Sequence, residues 1–401
     1  MRAVLLHPHD PCVPYASGVG TMINAFITCA PEDLQVELVG ITSDPKDSRL
    51  RSWHSVEVEG RQLRWFPLLV DHPSIRARVP LSFRYTWKLR RTRHQFDLAG
   101  ISQLFHRLET AWATHDIDSQ KLMFLHYHVE DQILHENTEV TWSRFPKAYF
   151  ALEKRILPKM DFLWSERSDG IEWWKEHYPI MKDRAEWLPT WADDHVFYPL
   201  TIRKCKKLRK QLCAELGADP AKEIAFFAAR FEGQKDPMLL MQTWKLLQTA
   251  RPDVQLVLAG AGSLENEMRA FVAGAGLEQS VFFAGTLGQS AVANWQNAAD
   301  LFVLSSAFEG MALSMIEALA AGVPVVTTKV GEAPRVITAP EHGRIVEERS
   351  AECIADAVVQ VLSQPRNRQA CVRAAEPYTP RKVLEPVYDR IRQYHERRMN
   401  Q

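Results

Sequence analysis

Five short apolar runs, at 224–229, 254–259, 281–284, 300–304 and 323–328, alternate with helical patterns at 237–250, 264–274, 288–298 and 312–321. A strand that is apolar along its whole length is buried on both faces, and amphipathic helices between such strands supply the cover. The pattern predicts a parallel sheet wrapped by helices, a doubly wound α/β domain. Gly260, Gly262 and Gly285 follow the strands where the turns are tight.

The chain has 401 residues, more than the roughly 250–300 that a single core usually organises. Its N-terminal half repeats the scheme less cleanly. Ala3–Leu6 reads as a first strand, and a loop with Gly18 and Gly20 leads into a helix from about Thr21. Further strands are expected near 34–41, 62–68, 98–105, 121–127 and 161–165. Pro189, Pro199 and the basic stretch 202–211 place a linker near 189–200. This predicts one domain over 1–190 and a second over 191–379, with a charged helix at about 380–401 packing back on the first. Open α/β sheets bind ligands at the carboxyl ends of their strands, so two such domains are expected to face a central cleft.

Lys+Arg and Asp+Glu both total 49, which gives no charge argument for a nucleic-acid partner. The six cysteines form no Cys-x-x-Cys pair and read as reduced thiols. The N-terminal apolar stretch is too short for a signal peptide, and no run approaches the ~18 residues of a membrane span. A cytoplasmic protein is expected, with peripheral attachment to the inner membrane face left open.

Arg230 and Lys235 follow the run at 224–229 in Ala-Ala-Arg-Phe-Glu-Gly-Gln-Lys-Asp. Gly233 is expected to let this backbone turn sharply, and the two cations suit phosphate oxygens. A diphosphate leaving group gains negative charge as its bond to a sugar breaks, and fixed cations stabilise that transition state. The plainer alternative is a pair of surface cations bonded to Glu232 or Asp236.

Glu309 and Glu317 stand eight positions apart, the first in a loop after the strand at 300–304, the second on the helix that follows. A carboxylate accepts hydrogen bonds from vicinal hydroxyls, as in ribose recognition. The amides of Gly310, Met311, Ala312 and Leu313 lie at the helix N-terminus, a place that favours phosphate or sugar oxygens. Taken singly, each glutamate also reads as an ordinary helix-end or solvated residue.

Gly18-Val19-Gly20 lacks the third glycine of a dinucleotide fingerprint, and marks a backbone approach to an anion about as well as a plain tight turn. His126 and His128 end the run 122–125 and share a strand face, which suits a polar contact to substrate. Glu130 and Asp131 are near, but two histidines without a third ligand argue against a metal, and none is expected. His106-Arg107-Leu108-Glu109 ends 101–105 in the same way, as a second cluster. Ile75–Arg93 carries seven cations with interleaved aromatics and no acid. It reads equally as a surface for anionic lipid and as a solvated helix. Five tryptophans, at 164, 173, 174, 187 and 191, crowd the region before the linker and read as core.

Together these segments resemble the glycosyltransferase family 4 pattern on the GT-B fold. The carriers are Arg230 and Lys235, Val257–Gly262, Phe283-Ala284-Gly285, Asp300–Ser305, and the block from Phe308 to Thr328 followed by Val330-Gly331. The match runs over roughly 223–346, and the N-terminal half joins it only through Gly18-Val19-Gly20 and the strand-end histidines. The resemblance implies two Rossmann-like domains and a retaining, metal-independent transferase. Such an enzyme would move a hexose from a nucleotide-sugar, such as a UDP- or GDP-hexose, with no resident cofactor. It implies that Arg230 and Lys235 hold the diphosphate and Glu317 the ribose. Glu309 and the amides after it would contact the sugar, and His126 or His128 would lie near its reacting carbon. The acceptor would be a carbohydrate, a lipid-linked sugar or a small molecule, in cell-surface glycan or exopolysaccharide assembly. A binding protein without transfer, or an epimerase or hydrolase of the same fold, are the alternatives. Met311-Ala312 stand where the family often has Phe-Gly, and Pro189-Thr190-Trp191-Ala192-Asp193 departs from its usual Pro-Asn-Gly-Val-Asp.

Overall fold

The structure is a computed structural model and describes residues 1–13, 18–72, 79–126, 133 and 141–400. The chain forms two compact units, residues 1–189 with 380–401, and residues 190–379.

The first unit holds β1 (Arg2–Leu6), β2 (Gln35–Thr42), β3 (His54–Val58), β4 (Arg61–Val70), β5 (Ser102–Phe105), β6 (Gln120–Leu125), β7 (Phe162–Ser165) and β8 (Ala185–Trp187). They order as β3-β4-β2-β1-β5-β6-β7-β8, all parallel except β3. β3 escapes a reading based on apolar runs because, at the sheet edge, its first four residues alternate between half-buried and exposed. It is joined to β4 by a two-residue turn in which Glu59 and Gly60 both take positive φ, 47° and 82°. That geometry matches the twist of a hairpin and is cheap for glycine. The helix Gly18–Thr28 takes the two glycines into its first turn, where a loop was expected up to Thr21.

The helix Pro380–Met399 belongs to this unit although it ends the chain. Val383, Leu384, Val387, Tyr388 and Ile391 recur at helical spacing and are buried, so one narrow stripe docks while the charged remainder faces water. Tyr388 anchors it, its hydroxyl donating to the Phe26 carbonyl at 2.8 Å and its ring lying 5.1 Å from the Phe26 ring. Among the described residues, no helix is long and apolar enough to cross a membrane.

The second unit holds β9 (Glu223–Ala228), β10 (Val254–Ala259), β11 (Val281–Gly285), β12 (Leu301–Leu304), β13 (Val325–Thr328) and β14 (Gly343–Val346). The order is β11-β10-β9-β12-β13-β14, parallel throughout. β10, β12 and β13 are buried from end to end, which is why their sequences show no polar alternation. β14 and β8 were not read from the sequence, being short and carrying exposed residues.

Candidate functional site

Each sheet reverses its strand order at one place: between β9 and β12 in the second unit, and between β1 and β5 in the first. Such reversals open a crevice at the carboxyl ends of the strands, where loops diverge to opposite faces.

In the second unit the loops after β9 and β12 are stitched together. The Ala307 amide donates to the Gln234 carbonyl at 2.8 Å, and the Gln234 side-chain amide donates to the Phe308 carbonyl at 3.3 Å. The Ser305 hydroxyl lies 3.0 and 2.8 Å from the Lys235 and Asp236 carbonyls, as a donor. Lys235 does not pair with its sequence neighbours. Its Nζ reaches Glu309 Oε1 at 2.5 Å, and the Ser306 hydroxyl donates to the same oxygen at 2.6 Å. Glu309 is buried, so removing Lys235 would take a counter-charge from a carboxylate held away from water.

The acids near Lys235 are taken elsewhere. Glu232 accepts from the amide and hydroxyl of Ser263, and Asp236 is paired with Arg349. Asp236 sits at φ 41° and caps the helix Pro237–Ala250 by accepting from the Leu239 amide at 3.1 Å. An aspartate tolerates this left-handed conformation and a proline suits the first helical position. Gly233 has no positive φ, and nothing lies within 4 Å of a side chain built there. The sharp turn expected of it is made by Asp236. Arg230 is exposed, with Gln234 Oε1 at 3.4 Å from its guanidinium.

Glu317 stands on the second turn of the helix Leu313–Ala320. It keeps some surface but is crowded by protein, and among the described residues its carboxylate accepts no hydrogen bond. Desolvation, with a smaller push from the Asp193 carboxylate, raises its carboxyl to about 7. No side chain caps the amino end of this helix, which leaves its first amides for another acceptor. Met311 and Ala312 are buried there, and Gly310 and Leu313 half-buried. The Met311 carbonyl accepts from the Thr190 hydroxyl at 3.2 Å.

Gly331, after β13, closes the group. At φ 47° it packs on the loop so tightly that a Cβ would fall 1.8 Å from the Gly310 carbonyl oxygen, which also accepts from the Glu332 amide at 3.0 Å. Three strand-end loops thus present a lysine–glutamate pair, an open carboxylate and uncapped amides. Two hollows of about 800 and 230 Å³ lie elsewhere in the unit. They are lined by Arg366, Pro365 and, for the smaller, Asp300 and Pro324, just before β12 and β13, and contain none of these residues.

In the first unit the positions just after β1, β5, β6 and β7 are His7, His106, His126 and Glu166. Adjacent strands place them in a row. His126 Nδ1 lies 3.0 Å from Glu166 Oε2, His106 Nδ1 lies 2.9 Å from His126 Nε2, and the His7 and His106 rings meet edge to face at 5.3 Å. His106 stacks between Phe124 and His126. Both ring nitrogens of His126 are therefore engaged within the unit. Burial keeps His7 and His106 neutral, well below the usual histidine range, helped by neighbouring imidazoles and Arg107. His7 Nδ1 is buried without a partner among the described residues. Sequence reasoning passed over His7 and Glu166; their one signal is that each directly follows a strand. Gly20 is buried in the helix after β1 and Gly18 exposed at its described start. Glu109 is buried against Arg107, at 3.6 Å, and the Trp142 indole.

His128, Glu130 and Asp131 lie outside the described residues, as do positions 75–78 of the basic segment. The rest of that segment centres on the helix Leu81–Thr92. Arg84 pairs with Asp71 at 3.4 Å, Arg90 and Arg93 share Asp116, and Arg91 lies 3.5 Å over the exposed Trp87 ring. Most of these cations are thus spoken for within the unit.

Residues 209–377 match the family model of glycosyl transferases group 1. Over 203 residues the chain is 30% identical to a D-inositol 3-phosphate glycosyltransferase of Arthrobacter sp., covering 50% of this chain and 47% of that one. It is 33% identical over 159 residues to a lipopolysaccharide core biosynthesis mannosyltransferase of Rhizobium meliloti, covering 38% and 45%. The chain spans about half the length of the curated relatives it matches. Among solved structures, a sucrose-phosphate synthase from Thermosynechococcus elongatus is similar over 100% of this chain and 99% of its own, with TM-score 0.71 and 18% identity. That likeness gives the fold, GT-B, with two parallel-sheet Rossmann-like units.

Proposed function

We propose, from a second unit that is a group 1 glycosyl transferase domain over residues 209–377, that this protein moves a hexose from a nucleotide-sugar to an acceptor hydroxyl. The observation that carries the reading is the Lys235–Glu309 pair joining the loops after β9 and β12 at the strand reversal of the second sheet, with Glu317 on the helix that follows β12. A nucleotide-sugar has a diphosphate, a ribose and a hexose, and Lys235, Glu317 and Glu309 suit them in that order. Lys235, with Arg230 at the surface, neutralises the diphosphate as charge develops on it. Glu317, lacking a protein donor, accepts from the ribose hydroxyls. The amides at 310–313 and the Glu309 carboxylate take sugar oxygens. In the first unit, Gly18 and Gly20 at the start of the helix after β1 and the strand-end imidazoles are the groups that suit oxygens of a hydroxyl-bearing or anionic ligand.

The reading includes retention of configuration and independence from bound metal, since two cationic side chains supply the charge that a metal would otherwise bring. It also places the product in cell-surface glycan assembly, in keeping with the mannosyltransferase of lipopolysaccharide core biosynthesis among the relatives. The test is to incubate the protein with UDP- and GDP-hexoses, with and without sugar and lipid-linked acceptors, and to measure released nucleoside diphosphate. Acceptor-dependent release insensitive to EDTA, with an α-linked product from an α-donor, is expected. Release without acceptor dependence would mean hydrolysis, and no release from any donor would remove the proposal.

A further inference from the structure

Each unit carries one strongly basic helix, and the fold treats their charges in opposite ways. In the helix Leu81–Thr92 of the first unit, Arg84 and Arg90 are met by Asp71 and Asp116. The helix Ile202–Leu216 of the second unit carries Arg203, Lys204, Lys206, Lys207, Arg209 and Lys210, and no acid lies between Asp194 and Glu215. Arg209 pairs with Asp300 at 2.8 Å, which ties the helix to its own unit. The other five cations are exposed and form no ion pair among the described residues.

This helix is held against its own charge. Thr201 caps its start, Gly217 at φ 78° its end, and Cys205, Leu208, Leu212 and Cys213 form its inner face. Arg203, Lys207 and Lys210 recur at spacings of four and three, so they share the outer face, flanked by Lys204 and Lys206. Like charges so spaced repel each other. Arg203 and Lys204 also stand in the first turn, where the macrodipole disfavours cations and no acid is present. An anion brought to this face relieves both repulsions.

The neighbouring apolar residues decide which anion. Ile202 is 67% exposed and Tyr198 48% exposed, just before the basic stripe. Their backbone is fixed: the Tyr198 carbonyl accepts from Asn297 Nδ2 at 3.0 Å, and the Leu200 amide donates to Asn297 Oδ1 at 2.8 Å. Large apolar side chains held in water beside lysines suit the boundary between lipid headgroups and acyl chains. A nucleic acid favours arginine and aromatic rings interleaved among the cations. Here four of the five exposed cations are lysines, and no ring stands among them. We propose that the helix Ile202–Leu216 is a docking face for an anionic lipid bilayer. Its five exposed cations lie against phosphate headgroups, and Ile202 and Tyr198 reach the acyl boundary. The basic segment of the first unit is secondary, because most of its charge is met inside the fold.

The experiment is co-sedimentation of the full chain at low salt with two kinds of vesicle, phosphatidylcholine alone and phosphatidylcholine with phosphatidylglycerol in equal parts. Binding to the anionic vesicles only is expected, weakening as added salt screens the charges. Lys206→Gln, Lys207→Gln and Lys210→Gln combined should weaken binding by about a hundredfold, about fivefold for each cation. Ile202→Ser should weaken it by about tenfold, and by the same factor when salt is raised. Lys88→Gln with Arg91→Gln, in the first unit, should cost less than the triple substitution. The triple variant should keep or exceed the wild-type Tm, because repulsion within the helix is removed. Wild-type protein that ignores anionic vesicles, a triple variant that binds them equally well, or a lowered Tm in that variant would overturn the proposal. Tighter binding to a DNA duplex or to polyglutamate than to the anionic vesicles would also overturn it. No nucleotide-sugar enters the measurement, so its outcome is separate from that of the glycosyl-transfer test.

Discussion

The two units solve the same topological problem with opposite chemistry. At the reversal of the second sheet stand a lysine, two glutamates and a surface arginine. At the reversal of the first stand imidazoles that burial holds neutral. Charged groups at a strand end cost desolvation and persist where a charged ligand repays it, whereas neutral donors and acceptors serve hydroxyls. The contrast teaches that fold alone does not assign a ligand, since both sheets run parallel about one strand reversal while the side chains at their strand ends differ.

The comparison breaks first at Lys235. Lys235→Ala removes a cation that pairs with the buried Glu309, so turnover should fall by about a hundredfold or more, the scale of a lost transition-state donor. Nucleoside diphosphate release measures it, and wild-type rates would remove the phosphate assignment. Removing His106 in the first unit should cost less, because burial keeps that imidazole neutral.

Glu317 comes next. Glu317→Gln should weaken donor binding by about tenfold, one or two hydrogen bonds to a charged acceptor, with kcat little changed; titration of a nucleotide-sugar by calorimetry would show it. In the free protein the sign reverses. Because its carboxyl is raised to about 7, folding is favoured by the bound proton at low pH and loses that benefit as pH rises through neutrality. Glu317→Gln should therefore raise Tm by a few degrees at about pH 8 and leave it unchanged at about pH 4. An equal effect at both would mean that the raised value is wrong.

Gly331 sharpens the contrast between a strained and a relaxed glycine. Gly331→Ala forces a methyl group onto the Gly310 carbonyl at positive φ, and should cost more than about 1 kcal/mol together with donor affinity. Gly233→Ala, with open space and no positive φ, should stay within about 0.5 kcal/mol by urea unfolding. The smallest effect is expected on the basic helix of the first unit. Only Lys88 and Arg91 there lack an acidic partner among the described residues, so Lys88→Ala should weaken sedimentation with anionic vesicles by at most about 1 kcal/mol. No sedimentation of the wild type at low salt would discard membrane contact.

The parallel sheets were legible because strands such as β10 and β13 are apolar throughout, a pattern that few other structures tolerate. β3 was not, since its exposed face breaks the apolar run, and only the Glu59-Gly60 turn marks it. In the second unit, local spacing placed Glu317 on its helix and Glu309 in its loop. That Lys235 would turn from Glu232 and Asp236 toward Glu309, 74 residues on, is a tertiary fact that no local pattern encodes. The histidine row is harder still. Its members are scattered from position 7 to position 166, and adjacency comes only from the strand order β1-β5-β6-β7. His126 ends an apolar run with His128 two positions on, whereas Glu166 follows Trp164 and Ser165 with no such marker.

The most direct test of the account is equilibrium binding of UDP- and GDP-hexoses to the wild-type protein and to Lys235→Ala and Glu317→Ala. The account predicts that at least one nucleotide-sugar raises Tm in the wild type and that each substitution lowers that response. A protein that binds such a donor equally well with both side chains removed, or binds none at all, would contradict it.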